Sequence, residues 1–552
     1  MYGSLKTLSV ALCASGSIVQ AQYELSVVAM SGDDAPAGPG VFDWLGPSSD
    51  GRVIMAENGM AYFFAYVDSP IVAGDYEGIF AATSSGIQKI VQVGDPVSNR
   101  DNIFLYGIDD EFVVNSSGAV AFNGSYSSNS DGLYFIAPGN DAVVIGEKGE
   151  PAPGGGDYVR LAFGSRSHAL NNANEVAYQA WTTLGPNRYG IFHWADNLTT
   201  PVALEGDSVP GRPDEFITFS RRPTICNDGT VIFAGEWTDW NDWDGLFAWN
   251  NGTMHTLAAP ETPSPGHVGT TFGIRADFSY SASAAADNSV AVYSYHDDFL
   301  DTLYFSASTN GLDHIPFRDS CVPGFGCGFV VPDIQTALAV NEQGQFVGTF
   351  SWYNLEEDYD GLLIRSGNSI VARSLANTSL SKGGILAEGR VASAWAINDS
   401  GTIAFQHPID LIPDDSACCF DTGLFAMDGN GNFVELIRNG DSFAGGIVDD
   451  IHLTGTGNEN YLSESQNGDG INNSGQIGFW FQLEDGRHGI AIASPFADCP
   501  ADTNNDGQLT PADFTAWINA FNNNLPECDQ NGDGACTPTD FTAWINNYNA
   551  GC

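Results

Sequence analysis

The chain has 552 residues, 19 of them Lys or Arg and 68 Asp or Glu, for a formal charge of −49. So few cations make nucleic acid an unsuitable partner, since binding a phosphate backbone requires Lys and Arg to displace counterions. Aromatic residues at 12%, with abundant Val, Ile and Gly, argue against disorder and for a strand-rich folded body.

Residues 1–21 read as a signal peptide. Lys6 supplies the positive start and residues 8–14 a short apolar stretch, while Val19 and Ala21 place small residues at −3 and −1 of a cleavage before Gln22. The expectation is a secreted, extracellular protein associated with the cell surface. No later stretch approaches the roughly 18 consecutive apolar residues of a membrane span, so no transmembrane segment is expected.

Residues 22–496 carry a repeat, and such periods indicate a repeat architecture. Its clearest element is Asn-x-x-Gly followed by alternating apolar residues. It occurs at Asn115 with Gly118, Asn341 with Gly344, Asn398 with Gly401 and Asn472 with Gly475, and in shortened form from Asn227. Looser copies over 57–63, 172–178 and 286–293 bring the number to eight. Asn with Gly marks a tight turn, and the alternation marks a half-buried strand. A Gly-Leu/Ile-Phe strand follows, as at Gly78, Gly132, Gly190, Gly245 and Gly423. Another strand then ends in a polar loop such as Gly94-Asp95 or Gly206-Asp207. Four short strands per unit of about 55–60 residues make one propeller blade.

Residues 27–36 look like a unit's last strand and loop with no unit before them, while the eighth unit ends near Ala493 without that strand. The expected body is therefore all-β, an eight-bladed β-propeller closed by its N-terminal strand, because closure removes exposed edges. Over about residues 25–495 the units resemble the bacterial tandem-repeat family with the signature Asn-x-x-Gly-x-x-Ala-Phe. That resemblance implies no established enzymatic activity.

Residues 497–552 carry two twelve-residue loops, 27 residues apart. The first offers Asp502, Asn504, Asp506, the carbonyl of Gln508 and Asp513 at positions 1, 3, 5, 7 and 12. The second offers Asp529, Asn531, Asp533, the carbonyl of Ala535 and Asp540. Alternating hard oxygens around a glycine bend at Gly507 or Gly534 form an EF-hand-like site, so two Ca²⁺ ions are expected. Asp stands at position 12 where Glu is usual, and Thr510 and Thr537 at position 9 would each hold a ligand water. After each loop an apolar stripe at helical spacing predicts a helix: Phe514, Trp517, Ile518 and Phe521, then Phe541, Trp544, Ile545 and Tyr548. These stripes are read as the module's own core.

Four cysteines fall in this tail and read as disulfides in an exported protein. The shift of 27 residues maps Leu509 onto Cys536 and Leu525 onto Cys552, which favours Cys536–Cys552 and Cys499–Cys528. Cys321 and Cys327 would close a small loop, and Cys226, Cys418 and Cys419 have no assigned partner. The tail resembles a type I dockerin, of the variant ending in Gly551-Cys552. Dockerins dock onto cohesin domains, and loop positions 10 and 11 carry much of that recognition. The matching residues are Pro511, Ala512, Pro538 and Thr539. They depart from the Ser-Thr pair of cellulosomal dockerins, so the resemblance implies docking to a cohesin-like or other surface protein.

No metalloprotease, nucleophile-elbow or phosphate-loop motif is present, and the nine His fall at non-equivalent places in the units. The favoured function is a non-catalytic binding or structural body, with a glycan or protein ligand, displayed through the calcium module. An extracellular polysaccharide-active hydrolase or lyase is the alternative. Trp240 and Trp243 among acids, and the acids Asp297, Asp298 and Asp301, read as loops.

Overall fold

The computed structural model describes residues 23–36, 38, 40–46, 53–68, 76–162, 167–183, 188–219, 223–237, 245–259, 263, 279–280, 289–294, 302–307, 312–314, 329–332, 339–341, 343, 345–353, 358–366, 369–375, 378–387, 394–411, 421–429, 431–453, 470–495, 500–504, 509–523, 525–531 and 535–550. The proposed signal peptide, Cys321, Cys327, Cys418, Cys419, Cys499, Cys552, Trp240, Trp243, Asp297, Asp298 and Asp301 lie outside them. Two compact units are present. One runs from Tyr23 to Pro495, apart from residues 426–434, and the other contains the C-terminal residues.

The first unit is mostly β and antiparallel, of the β-propeller kind. Among the described residues its strands form eight sheets of four or five strands each, one after another along the chain. In the first sheet Val41–Leu45 and Val53–Met55 both pair with Ala61–Asp68, which pairs with Tyr76–Thr83, which pairs with Gly86–Gln92. The N-terminal strand Tyr23–Met30 belongs to the last sheet. It pairs antiparallel with His488–Pro495, from Tyr23 opposite Pro495 to Met30 opposite Gly489. The strand surplus at the start of the chain thus covers the edge that its end would otherwise expose.

Apolar clusters lie between successive sheets. Ile54, Tyr62 and Ile79 of the first pack with Ile108, Phe112 and Phe122 of the second. Val28, Trp480 and Ile490 of the last pack with Phe42, Phe63 and Phe80 of the first. One sheet alone cannot bury both faces, so each depends on its neighbours.

The repeated Gly-x-Phe has a packing cause. Residues i and i+2 of a strand share a face, and the phenyl ring lies over the glycine. A Cβ added at Gly190 would lie 2.8 Å from the Phe192 ring and 2.7 Å from Leu204 Cδ2. Gly78 over Phe80 and Gly423 over Phe425 repeat this closeness. Gly190→Ala should therefore destabilise the body by about 1–3 kcal/mol through overpacking, read as a lower denaturant midpoint with an unchanged slope.

The polar loops also have a structural task. The carboxylate accepts the backbone N–H three residues earlier: Asp33 from Met30 (2.8 Å), Asp95 from Gln92 (2.9 Å), Glu150 from Glu147 (3.1 Å), Asp207 from Leu204 (2.8 Å) and Asp441 from Arg438 (3.1 Å). Each acid pins its turn by satisfying a backbone donor.

The motif asparagines do more than turn the chain. All are buried. Asn115 Oδ1 accepts from the N–H groups of Ser117 (3.1 Å) and Ala119 (3.0 Å), holding its own turn. Its Nδ2 crosses to the next sheet and donates to the carbonyl of Asn171 at 3.0 Å. Asn171 donates likewise to Cys226 (2.9 Å), Asn341 to Asn398 (2.7 Å), Asn398 to Asn472 (3.1 Å) and Asn472 to Ala56 of the first sheet (3.3 Å). A second row runs one residue on: the N–H groups of Ser116, Asn172, Asp399 and Asn473 reach the side-chain oxygens of Asn172, Asn227, Asn473 and Glu57. Cys226, not Asn227, thus occupies the motif asparagine's place in the fourth unit. The shortened spacing to Gly229 had shifted the reading by one residue.

Among the described residues no helix is long and apolar enough to cross a membrane.

Candidate functional site

Two helices build the C-terminal module, α1 (Pro511–Asn523) and α2 (Pro538–Ala550). Each opens with Pro at its first position, where the missing N–H costs nothing. Thr510 precedes α1 and its hydroxyl accepts from Ala512 N at 3.2 Å, while Asp513 Oδ2 accepts from Thr510 N at 2.7 Å. Thr510 thus caps the first turn, and Asp513 returns a bond to the Thr510 N–H. Asp540 Oδ2 accepts from Thr537 N at 2.7 Å in the same way. Of the two threonines at loop position 9, Thr510 caps its helix, whereas the Thr537 hydroxyl donates to Asp540 Oδ2 at 3.1 Å.

Asp513 and Asp540 also reach back to the starts of their loops. Asp513 Oδ1 is 3.4 Å from Asn504 N, and Asp540 Oδ1 accepts from Gln530 N (3.0 Å) and Asn531 N (3.2 Å). Both side chains are fully buried. The Thr537 N–H, with those of Asn531 and Gln530, holds the Asp540 carboxyl below its ordinary value, so it is ionised at neutral pH. Asp502, Asn504, Asp529, Asn531 and Ala535 are described at positions 1, 3 and 7; Asp506, Gln508 and Asp533 lie outside the described residues. Among the described residues no three acidic, His or Cys side chains converge.

The donor set fits a hard cation. From residue 496 onward the sequence has eight acids (Asp498, Asp502, Asp506, Asp513, Glu527, Asp529, Asp533 and Asp540) and no Lys, Arg or His. Buried carboxylates at Asp513 and Asp540, with no cationic side chain in the segment, suit Ca²⁺.

Trp517 and Trp544 lie buried with Ala501, and Leu509, Phe514, Phe521 and Tyr548 pack around them. Trp517 Nε1 donates to Cys528 O and Trp544 Nε1 to Ala501 O, both at 3.1 Å, so each helix is tied to the residue before the other half's loop. Ile518 and Ile545 stay exposed at 41% and 38%, which corrects their reading as core, while Phe541, 39% exposed, still lays one side of its ring against Phe514 and Trp517. Two short helices cover only one side of each other. Pro511, Ala512, Pro538 and Thr539 are exposed on the first helical turns.

The disulfide pairing is also corrected. Cys528 bonds to Cys536, with Cα atoms 5.5 Å apart, in place of Cys499–Cys528 and Cys536–Cys552. A 3₁₀ turn at Pro526–Cys528 follows Leu525 and sets Cys528 beside Cys536.

In the body, Glu147 and Glu150 form a carboxylate pair whose oxygens are already engaged. Glu147 is 3% exposed, accepts from Tyr134 Oη at 3.0 Å and lies 3.9 Å from Arg100 Nε. Glu150 is ion-paired to Arg100. Burial raises the Glu147 pKa, opposed by the Tyr134 hydrogen bond and by Arg100. Arg100 belongs to a segment that lies along the strand Val143–Glu147, where Asn99 bonds both polar groups of Val144. The network fastens a connection to a sheet. His488 has a structural task too: its Nε2 accepts from Leu45 N at 3.2 Å, joining the last sheet to the first.

No curated protein matches the chain. Solved structures similar to it include the β-propeller domain of the Trilobed protease from Pyrococcus furiosus (9% identity, 76% of this chain and 100% of that one, TM-score 0.35). The WD40 domain of SCAP from fission yeast is similar at 8% identity (86% and 98%, TM-score 0.36), and the BP39L lectin from Burkholderia pseudomallei at 12% (71% and 98%, TM-score 0.27). At these TM-scores the fold rests on the sheet order itself. A family model described as a family of unknown function (DUF7453) matches residues 2–369 and 361–497. The match spans the whole strand-rich body and stops before the helical module, and the chain belongs to that family, DUF7453.

Proposed function

We propose that the protein is an exported, non-catalytic binding body attached to a surface partner through a calcium-dependent dockerin-type module. The body is read as an eight-bladed β-propeller closed by Tyr23–Met30. Residues 497–552 are read as the dockerin, with Asp502, Asn504, Asp506, Gln508 and Asp513 holding one Ca²⁺ and Asp529, Asn531, Asp533, Ala535 and Asp540 the other. The carrying observation is the pair of buried acids, Asp513 and Asp540, in a segment without one cationic side chain. Bound calcium supplies the missing positive charge. The protein's part is to fix each carboxylate between loop start and helix start, so that ion binding orders the helices that meet the partner. Exposed Ile518, Phe541 and Ile545, near the exposed positions 10 and 11, supply an apolar surface for a cohesin-like or other surface protein.

The full chain should be retained on an immobilised cohesin domain, or on purified cell-surface protein, in Ca²⁺ and released by EGTA. A chain ending at residue 496 should not be retained. Retention that ignores both changes defeats the attachment reading. With a polysaccharide panel the full chain should release no new reducing ends; their appearance would establish a hydrolase or lyase instead.

A further inference from the structure

The ladder of asparagine side chains has a gap between the first and second sheets. Ala56 stands where Asn115, Asn171, Asn341, Asn398 and Asn472 stand in other units, so its side chain offers no amide to cross this seam. In its place Asn58 Nδ2 donates to Tyr62 Oη at 2.8 Å, and Tyr62 Oη lies 3.5 Å from Gly118 O of the second sheet. Gly118 has a φ of 85°, and a Cβ there would collide with both side chains. The seam is thus built to leave Gly118 bare.

Along this seam lies a groove of about 570 Å³, within the size range of small-molecule sites. The first sheet lines it with its last strand, Gly86–Gln92, and the second with the turn after Gly132–Ile136. Its polar groups are mostly neutral: Asn58, Gln88 and Asn140 are exposed residues. Asn58 is bonded to Tyr62 and to Met60 N, and Gln88 Nε2 rests 3.1 Å from Met60 Sδ, which leaves Gln88 Oε1 and the Asn140 amide facing the groove. Asp141 adds an exposed carboxylate. The groove's one cation, Lys89, is neutralised by Asp95 at 2.6 Å. Apolar strips from Met60, Ile90 and Pro138 run between them.

This lining selects by charge. With Lys89 occupied and the chain at −49, phosphate, sulfate and uronate groups find no counter-charge and a repulsive field. Amides donate to and accept from hydroxyls, a carboxylate accepts from them, and the apolar strips suit C–H faces. We infer that the groove between the first two sheets binds a neutral oligosaccharide. The site rests on the reading of the body as a binding protein and names where and what it binds.

The test is calorimetric titration of the full chain with neutral gluco-, manno-, xylo- and galacto-oligosaccharides, and with an acidic oligogalacturonate. A neutral oligosaccharide should bind and the acidic one should not. Gln88→Ala with Asp141→Ala, both at exposed positions, should weaken binding at least tenfold. Ala137→Trp, which fills the groove, should abolish it while the thermal midpoint shows the chain still folded. Binding that survives all three substitutions overturns the groove but leaves the body a binder. Tighter binding of the acidic sugar overturns the charge argument. No binding by any oligosaccharide overturns both.

Discussion

Chelating calcium with EGTA should speed amide exchange in Pro511–Asn523 and Pro538–Ala550 by about a hundredfold, while the body's strands keep their protection. Helices of 13 residues are marginal in water on their own, so tertiary packing must hold them. That packing is thin: Trp517 and Trp544, with Ala501, are the buried centre. Eight acids without an internal counter-charge repel one another, and bound cations remove the repulsion. At calcium about 100 times its dissociation constant the bound ion contributes about 2.7 kcal/mol, hence the expected hundredfold. Acid should act in the same direction. Backbone N–H groups depress the folded pKa of Asp540. Its contribution is therefore present above the unfolded carboxylate value, about 3.9, and is lost as pH falls through the lower folded value. Ion binding requires the same deprotonated carboxylate, so protonation and calcium loss reinforce one another. Hydrogen exchange with mass spectrometry on the full chain reads both arms. Identical exchange of the two helices with and without EGTA would refute the calcium-ordered module.

The repeat was legible because its turn and strand signals are local: Asn and Gly in the turn, alternation after it, Gly under Phe two residues on. The surplus strand at one end and the missing strand at the other led correctly to the pairing of Tyr23–Met30 with His488–Pro495. The asparagine's second task was not legible. Its amide bonds a carbonyl 55 to 57 residues away in the pairs Asn171–Cys226 and Asn341–Asn398, and no local pattern marks such a contact. Cys226 shows the limit well. It fills an asparagine's place without sharing its chemistry, and only the neighbour's bond to its carbonyl reveals the equivalence. In the helical module, periodicity located both helices but could not say which residues the other half covers. Trp517 and Trp544 are covered, whereas Ile518 and Ile545, one position further round, are not. The cysteine pairing failed for a related reason: a 27-residue repeat in sequence does not say that Cys528, at the end of the 3₁₀ turn Pro526–Cys528, lies within bonding distance of Cys536.

Asn472→Ala should lower the stability of the body by about 2–5 kcal/mol, and it should loosen the N-terminal strand as well. Asn472 is fully buried. Its Oδ1 accepts from Gln476 N at 3.0 Å, and its Nδ2 donates to Ala56 O at 3.3 Å and Gln476 Oε1 at 3.0 Å. Truncation leaves buried polar groups without partners, at about 1–3 kcal/mol each. Asn115→Ala removes the same local bonds from the middle of the ladder and should cost a similar amount. The two variants differ in what the chain does next. Sheets two and three are joined directly by the backbone, so a lost rung between them frees little entropy. Asn472 and Ala56 are 416 residues apart, and opening there releases a long closed loop. The seam also holds the pairing of Tyr23–Met30 with His488–Pro495, which keeps that edge covered. Exchange in residues 23–30 should therefore rise in Asn472→Ala and stay unchanged in Asn115→Ala, at matched losses of denaturant midpoint. Equal exchange in the two variants would mean that the last and first sheets do not depend on this rung for their closure, and that the strand pairing holds the seam unaided.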